Sequence, residues 1–483
     1  MTKQSRREFL ENSMFATAAA YAASSALSQP LMAANKQEKG PNEKYAVAVV
    51  GVKGRGQSHI SGFTGSPDSE VVALVDPDEK YLNQRADEIA KKTGKRPAVY
   101  TDLRKCYEDQ AIDIVSIATP NHWHALAAIW AVQAGKHVYV EKPVSHNVSE
   151  GRRIVDAARK HGKIVQTGTQ SRSMKGTLDV MDFMHQGGVG TISKARGLCY
   201  KRRKSIGPKG NYDVPETVDY DLWTGPAPME ELTRPQFHYD WHWQFLYGNG
   251  DLGNQGIHQM DLARWGLGVS GIGDSVLSYG GRLGYEDAGD VANTQVSVHN
   301  YGDKQLIFEV RGLETELYMD TRVGVIYYGS EGYVVQPSYS SAVAYDLDGQ
   351  VTEKFTGGGN HFQNFIDAVR ANDHTILNAD IEEGHYSSAL CHLGNISYRL
   401  GEKMTVAEVG EKLGDNDEYQ ETLGRFTQHL KNNGLEGEST EISLGPTLKL
   451  EGEEFTGEMA EQASPMLTRE YRKGFEVPSA ENV

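Results

Sequence analysis

From Lys44 to about Gln170 the chain alternates short, continuously apolar runs with longer stretches whose apolar residues recur at helical spacing. The apolar runs are YAVAVVG, EVVALVD, IDIVSIATP, KHVYVEKP and KIVQTG; between them lie PDEKYLNQRADEIAKKTG, NHWHALAAIWAVQAG and SEGRRIVDAARKHG. Each helical stretch closes on glycine, and the first carries proline at its first turn, where a missing N–H costs nothing. Strands apolar at nearly every position, separated by such helices, predict a parallel sheet covered on both faces, the doubly wound α/β pattern. Ligands of such sheets bind at the C-terminal ends of the strands.

After about Ser171 the pattern changes. Gly, Tyr and Trp become frequent, and longer strand-like runs such as NTQVSVHN and KQLIFEVRG alternate with turns. This predicts an α+β domain with an open, largely antiparallel mixed sheet over 171–400, with helices at HFQNFIDAVRAND and HYSSALCHLGNISYRLG. From 401 to 483 the chain is acidic and contains proline. That segment reads as a C-terminal extension that wraps the body or a partner subunit and carries no chemistry.

With 483 residues the chain is too long for one typical core. Its net charge of −16 argues against a nucleic-acid surface. The basic run Lys201-Arg202-Arg203-Lys204 reads as a solvated loop or part of a rim receiving a polar substrate. Cys106, Cys199 and Cys391 show neither metal-ligand spacing nor a disulfide framework, and no metal is expected. Past the N-terminus no apolar run is long enough to span a bilayer. At the N-terminus, SRREFL (Ser5 to Leu10) precedes a serine- and alanine-rich stretch, Asn12 to Ala34, without an acidic residue. That is how a twin-arginine export signal over 1–34 reads, with a cut at Ala33 or Ala34, and it implies a periplasmic or secreted protein exported already folded.

The first strand, Lys44 onward, runs into GVKGRGQSH. A dinucleotide-binding Rossmann loop needs glycine where the chain turns tightly and where backbone approaches a pyrophosphate. Gly51 and Gly56 fit the first and third positions of that fingerprint; Lys53 stands at the second, with Gly54 beside it and Arg55 next. Asp76 ends the second strand, where a carboxylate accepts ribose hydroxyls and repels a 2′-phosphate, so NAD is expected rather than NADP. It reads equally as a helix cap before Pro77. ATPNHWHA puts Thr119, Pro120, Asn121 and His124 on the rim after one strand, and VEKPVSHN puts Glu141, Lys142 and Pro143 after the next. A lysine at the buried end of a parallel strand is costly unless paired or in use.

GVKGRG, ATPNHWHA, VEKPVSHN and GNQGIHQMDLARW, in this order, resemble the glucose–fructose oxidoreductase / inositol dehydrogenase / MocA family over roughly Lys44 to Leu400. The resemblance implies a Rossmann domain (44–170) joined to a mixed-sheet substrate and oligomerisation domain, acting on a hydroxyl of a sugar or polyol. It implies that Lys142 touches substrate and nicotinamide ribose and that His258 is the acid–base group. The family often has aspartate four residues before that histidine; here it is Asn254, which orients a hydroxyl but takes no proton, so a Lys–Asp–His relay is not expected.

Lys142 and His258 are chemically sufficient for hydride transfer from a carbinol: the ammonium lowers the alcohol's pKa and the imidazole takes the proton. Just upstream, RPQFHYDWHWQFLYGNGD gathers His238, Tyr239, Trp241, His242 and Trp243. His242 and Tyr239 are expected in the site. The tryptophans read equally as a carbohydrate platform or as core. The expectation is therefore a sugar or glycoside oxidoreductase with tightly held, internally recycled NAD and a homo-oligomeric state. Two rivals stand beside it. One is an NAD-dependent redox-neutral glycosidase, which oxidises C3, eliminates the C1 substituent, adds water and re-reduces. The other is a noncatalytic sugar-binding protein.

Overall fold

The computed structural model describes residue 40 and residues 43–483, and the predicted export signal lies outside the described residues. Strand β1 (Tyr45–Val50) is buried on both faces, as its uninterrupted apolar run requires. It pairs in parallel with β2 (Ser69–Val75) on one side and β4 (Ile114–Ile117) on the other. With β3 (Ala98–Tyr100), β5 (His137–Val140) and β6 (Val165–Thr167) these make a six-stranded parallel sheet of order 3-2-1-4-5-6. The order reverses between β1 and β4, and the crevice that opens there is where such sheets take ligands.

Helix caps explain the boundaries. Helix Glu79–Thr93 starts at Asp78, whose carboxylate accepts from Lys80 N at 3.1 Å, and it stops at Gly94, held at φ +79. Pro77 therefore precedes the cap instead of standing in the first turn. Helix Asn121–Gln133 is buried on nearly all sides, from Asn121 through Ile129. Its alanine-rich, apolar-all-round composition requires cover on its outer face as well as on the sheet side. That cover comes from the distal chain: Phe475 packs against Trp123 and Trp130, with ring centroids at 5.7 and 6.4 Å.

The second sheet is mixed and mainly antiparallel. Its strands are β7 (Ile192–Cys199), β8 (Ser275–Gly281), β9 (Thr294–Tyr301), β10 (Lys304–Arg311), β11 (Val323–Gly329), β12 (Gly332–Gln336), β13 (Ser341–Asp346), β14 (Val351–Thr356), β15 (Glu402–Thr405), β16 (Glu441–Leu444), β17 (Leu448–Glu451) and β18 (Glu454–Thr456). The pairing of β7 with β10 is parallel; the others are antiparallel. In β10 the alternation is clear. Leu306, Phe308 and Val310 enter the core under helices Gly256–Gly266 and Ile381–Arg399. Ile307, Glu309 and Arg311 face the other way, toward helix Asp417–Asn432, where Ile307 joins the cluster of Phe426 and Leu430. The fully buried Glu309 is held there by Arg196, Arg311 and Arg425.

Residues 401–483 are thus part of this lobe rather than an appendage. They supply four strands and the cover of one sheet face, and the last residues return to the first lobe, where Gln133 donates to the Asn482 carbonyl at 3.0 Å. The lobes also share core. Phe362, Phe365 and Ile366 from helix His361–Ala371 pack with Val47 and Leu74 of the parallel sheet. Among the described residues no helix is long and apolar enough to cross a membrane.

Candidate active site

A cleft of about 570 Å³ runs along the C-terminal edge of the parallel sheet, from the glycine loop to the second lobe. At its floor β1 turns sharply. Gly51 has φ +82, and a Cβ there would stand 2.7 Å from the Ala118 carbonyl. A Cβ on Gly56 would meet the Gly51 oxygen at 1.8 Å, whereas one on Gly54 would meet nothing within 4 Å. The turn is glycine-dependent at its two ends and open at its crest, where Lys53, Gly54 and Arg55 line the cleft. Helix Gly56–Gly65 begins at this loop with no side-chain cap and no acidic residue in its first turn, which leaves backbone N–H groups and a positive dipole end for a phosphate. Beside the turn the hydroxyl of Thr119 is buried without a partner. Glycine loop, uncapped helix and orphaned hydroxyl together fit a dinucleotide.

Asp76 lines the cleft, but its oxygens also hold the loop: Oδ2 accepts from Val52 N at 2.8 Å and Oδ1 from Asp78 N at 3.0 Å. Burial pushes its carboxyl up to about 6, against the pull of those two N–H groups. The helix cap is Asp78, which also accepts from His238 Nε2 at 2.9 Å and thereby pins the aromatic segment of the second lobe to the cofactor rim. Lys53 lies over the Tyr81 ring at 4.5 Å.

Glu141 is buried and organises the far rim. Its Oε1 accepts from Arg55 Nε at 2.6 Å and from His59 Nε2 at 3.0 Å, and His59 Nδ1 meets Ser116 Oγ at 2.7 Å. Burial alone would raise the Glu141 carboxyl, but His59 and the Arg55 charge hold it well below the usual carboxylate range. The adjacent Lys142 reaches across to the second lobe, where its Nζ donates to the Asn254 carbonyl at 2.7 Å. Burial lowers the Lys142 pKa while the Glu141 charge opposes that shift. His124 is a positioning residue: its ring nitrogens contact the Pro143 and Thr119 carbonyls at 2.6 and 2.8 Å, tying the two rim turns together. Asn121 donates to Asn249 Oδ1 at 3.1 Å, a further tie between lobes.

In the second lobe the structure brings Asn254, His242, Tyr239, Trp241 and His238 to the cleft with Lys142. Asn254 contributes its backbone carbonyl to the lysine, where the sequence pointed to its side chain. His242 stacks on Trp241, with ring centroids at 3.6 Å, and its Nδ1–H donates to the Tyr239 carbonyl, which leaves Nε2 as the lone-pair nitrogen. Burial pushes His242 down to about 3, with the Lys142 and Arg203 charges acting in the same direction, so it is neutral near pH 7. Tyr239 stands half-exposed at the mouth with φ +69, a strained conformation for a bulky residue, and its hydroxyl accepts from Arg203 Nη1 at 3.3 Å. His258 does not line this cleft. It is buried against Tyr339, its Nδ1 has no partner, and burial reinforced by the Lys142 charge holds it neutral. The tryptophans divide: Trp241 faces the cleft, while Trp243 is core, under the Arg203 guanidinium at 4.9 Å.

Sequence reasoning missed His59, Ser116 and Asn249, which lack any motif and matter only through tertiary contact. It read Arg203 as part of a solvated loop or of a rim receiving a polar substrate. In the fold Arg203 turns inward onto Asp251 with two contacts of 2.6 Å, while Lys201 and Lys204 stay exposed. Among the described residues no group of three or more His, Cys, Asp or Glu is placed to hold a metal.

Residues 45–169 match the oxidoreductase family with an NAD-binding Rossmann fold, and residues 189–428 match that family's C-terminal α/β domain. The chain belongs to the Gfo/Idh/MocA oxidoreductase family. Over 201 residues it is 32% identical to a glycosyl hydrolase family 109 protein of Shewanella baltica, a stretch covering 39% of this chain and 44% of that one. Over 154 residues it is 33% identical to an alpha-N-acetylgalactosaminidase of Shewanella oneidensis, covering 31% of this chain and 34% of that one. The chain thus spans less than half the length of these curated relatives. In fold it is similar to levoglucosan dehydrogenase solved with NADH and levoglucosan, with a TM-score of 0.57 at 18% identity, covering 73% of this chain and 96% of that one. It is also similar to the WlbA dehydrogenase of Bordetella pertussis solved with NADH and UDP-GlcNAcA, with a TM-score of 0.54 at 20% identity, covering 73% and 97%.

Proposed function

We propose that this member of the family oxidises a hydroxyl of a sugar or glycoside, with NAD held along the cleft and recycled in place. The observation that carries the reading is Lys142: a half-buried ammonium on the cofactor rim, fixed by a carbonyl of the opposite lobe, beside a neutral imidazole with a free lone pair. Gly51, Gly54, Gly56, Thr119 and Asp76 would hold the cofactor, which when bound supplies the hydride acceptor. Lys142 lowers the pKa of a hydroxyl placed against it and steadies the developing alkoxide. The proton goes to the neutral His242, whose Nε2 lone pair is free at the cleft. An imidazole as weakly basic as His242 requires an acidified hydroxyl, which the lysine provides. Trp241 offers an apolar face to the sugar ring.

A second reading is favoured by the relatives named as glycosidases. The same first oxidation acidifies the neighbouring C–H, the C1 substituent leaves by elimination, water adds, and the ketone is returned to the alcohol, so the net change is hydrolysis. Export by the twin-arginine route belongs to either proposal, because a folded protein carries its cofactor with it. A homo-oligomer is part of the same proposal. The test is a panel of free sugars and aryl glycosides added to purified protein without added NAD. Absorbance at 340 nm reports oxidation, and nitrophenol release that Lys142→Ala abolishes reports the glycosidase. Protein that retains no NAD and takes up none added back would refute both and leave a sugar-binding module.

A further inference from the structure

A second cavity of about 280 Å³ lies apart from the catalytic cleft, between the first lobe, helix Ile381–Arg399 and the returning tail. Most of its wall is apolar: Phe245, Leu246, Ile396, Pro465 and Met466. Polar side chains share that wall, and one of them, Arg469, lacks a full set of partners. Arg469 sends Nη1 to the Leu246 carbonyl at 3.1 Å and to His146 Nδ1 at 3.2 Å, and its Nη2 is buried with no partner. Among the described residues no carboxylate forms an ion pair with it. Glu150, the acid nearest in effect, is already engaged by His146 N, Asn147 Nδ2 and Tyr471 Oη at 2.7, 2.9 and 3.1 Å. His146 cannot neutralise the guanidinium either. Its Nε2–H donates to the Phe245 carbonyl at 2.7 Å, so the Nδ1 that faces Arg469 is a neutral acceptor.

Two further features point the same way. His392, buried in the cavity wall, uses Nε2 on Ser145 Oγ at 3.1 Å and leaves Nδ1 unpartnered. Arg399 lies over the Phe245 ring at 4.0 Å, adding a second cation at the wall, against which stands the exposed Glu470. A guanidinium withdrawn from water without a counter-charge is costly, and the cost is relieved if an anion completes it. The apolar wall asks for a hydrocarbon body on that anion. A dry cavity of roughly 150 Å³ holds benzene, so 280 Å³ suffices for an aromatic or short aliphatic carboxylate.

We propose that this cavity is a binding site for a small monocarboxylate with an apolar body, the carboxylate on Arg469 and the hydrocarbon against Ile396 and Met466.

Isothermal titration of the full chain with benzoate, hexanoate and benzamide tests it. Benzoate and hexanoate are expected to bind saturably, and neutral benzamide at least about 10-fold more weakly, equivalent to 1.4 kcal/mol. Arg469→Met, which keeps the bulk and removes the charge, is expected to weaken benzoate by a similar factor. Ile396→Phe should exclude benzoate by filling the cavity, and Lys142→Ala should leave its binding unchanged. Equal binding of benzoate and benzamide, no saturable heat up to about 10 mM benzoate, or binding lost in Lys142→Ala and kept in Arg469→Met would each overturn the proposal. The benzoate–benzamide comparison needs only the unaltered protein, so it decides even if a variant fails to fold.

Discussion

Replacing Glu141 by Gln keeps the shape of the side chain and removes one buried negative charge next to Lys142. Arg55 and His59 lose a charged acceptor and keep a neutral one. Arg55 is more than a third exposed, so solvent already screens its pairing and its share of the loss is small. The stability cost is that of weakened hydrogen bonds to a charged group, about 1–3 kcal/mol. The effect on chemistry has a definite sign. Burial lowers the Lys142 pKa, and the Glu141 charge is the leading influence that raises it. Without that charge the ammonium loses its proton at lower pH. The alkaline limb of kcat/KM for a reactive carbohydrate, followed at 340 nm, should therefore move to lower pH in Glu141→Gln. Rates well below the limb should change little. Bound nucleotide, released by denaturation and weighed against protein, controls for cofactor loss. A limb that stays in place or moves up, with nucleotide retained, would refute the idea that Lys142 acts as an ammonium supported by Glu141.

The glycine loop gives a paired prediction: Gly56→Ala places a Cβ against the Gly51 oxygen and should lose retained NAD and lower Tm, whereas Gly54→Ala meets open space and should shift stability by no more than about 0.5 kcal/mol. Asp76 titrates near 6 in the fold and near 3.8 when unfolded, so the folded form binds the proton more tightly between those values. Its contribution to the stability of cofactor-free protein is full below about 4 and lost as pH rises through 6, by up to about 3 kcal/mol. Asp76→Asn should flatten the fall in Tm between about pH 4 and 6, and an equally steep fall in the variant would count against this assignment. Phe475→Ala removes the ring that covers Trp123 and Trp130 and should cost about 3 kcal/mol in urea denaturation; a change under 0.5 kcal/mol would mean the tail is not anchored there.

Local pattern and backbone chemistry made much of the first lobe legible. Continuous apolar runs belong to strands buried on both faces, and glycines at 51 and 56 belong to a turn too tight for a Cβ. The cleft residues between Gly51 and Lys142 could be named because they fall at strand ends, a place that periodicity alone defines. The second lobe was legible only as a class. Residues 401–483 read as a polar extension because their strands are short and half-exposed, yet they complete a sheet that only long-range pairing reveals. The charge run at 201–204 gave no hint that Arg203 turns inward, since its partner Asp251 is distant in sequence. The same holds for the roles of the histidines. Sequence by itself determined which side chains have the chemistry for proton transfer. Tertiary structure decided that His242 opens on the cleft, that His258 sits behind it against Tyr339, and that Asn254 offers a carbonyl rather than an amide. The reason is physical: residue type fixes what a group can donate or accept, but burial, neighbouring charge and direction come from segments that meet only when the chain has folded.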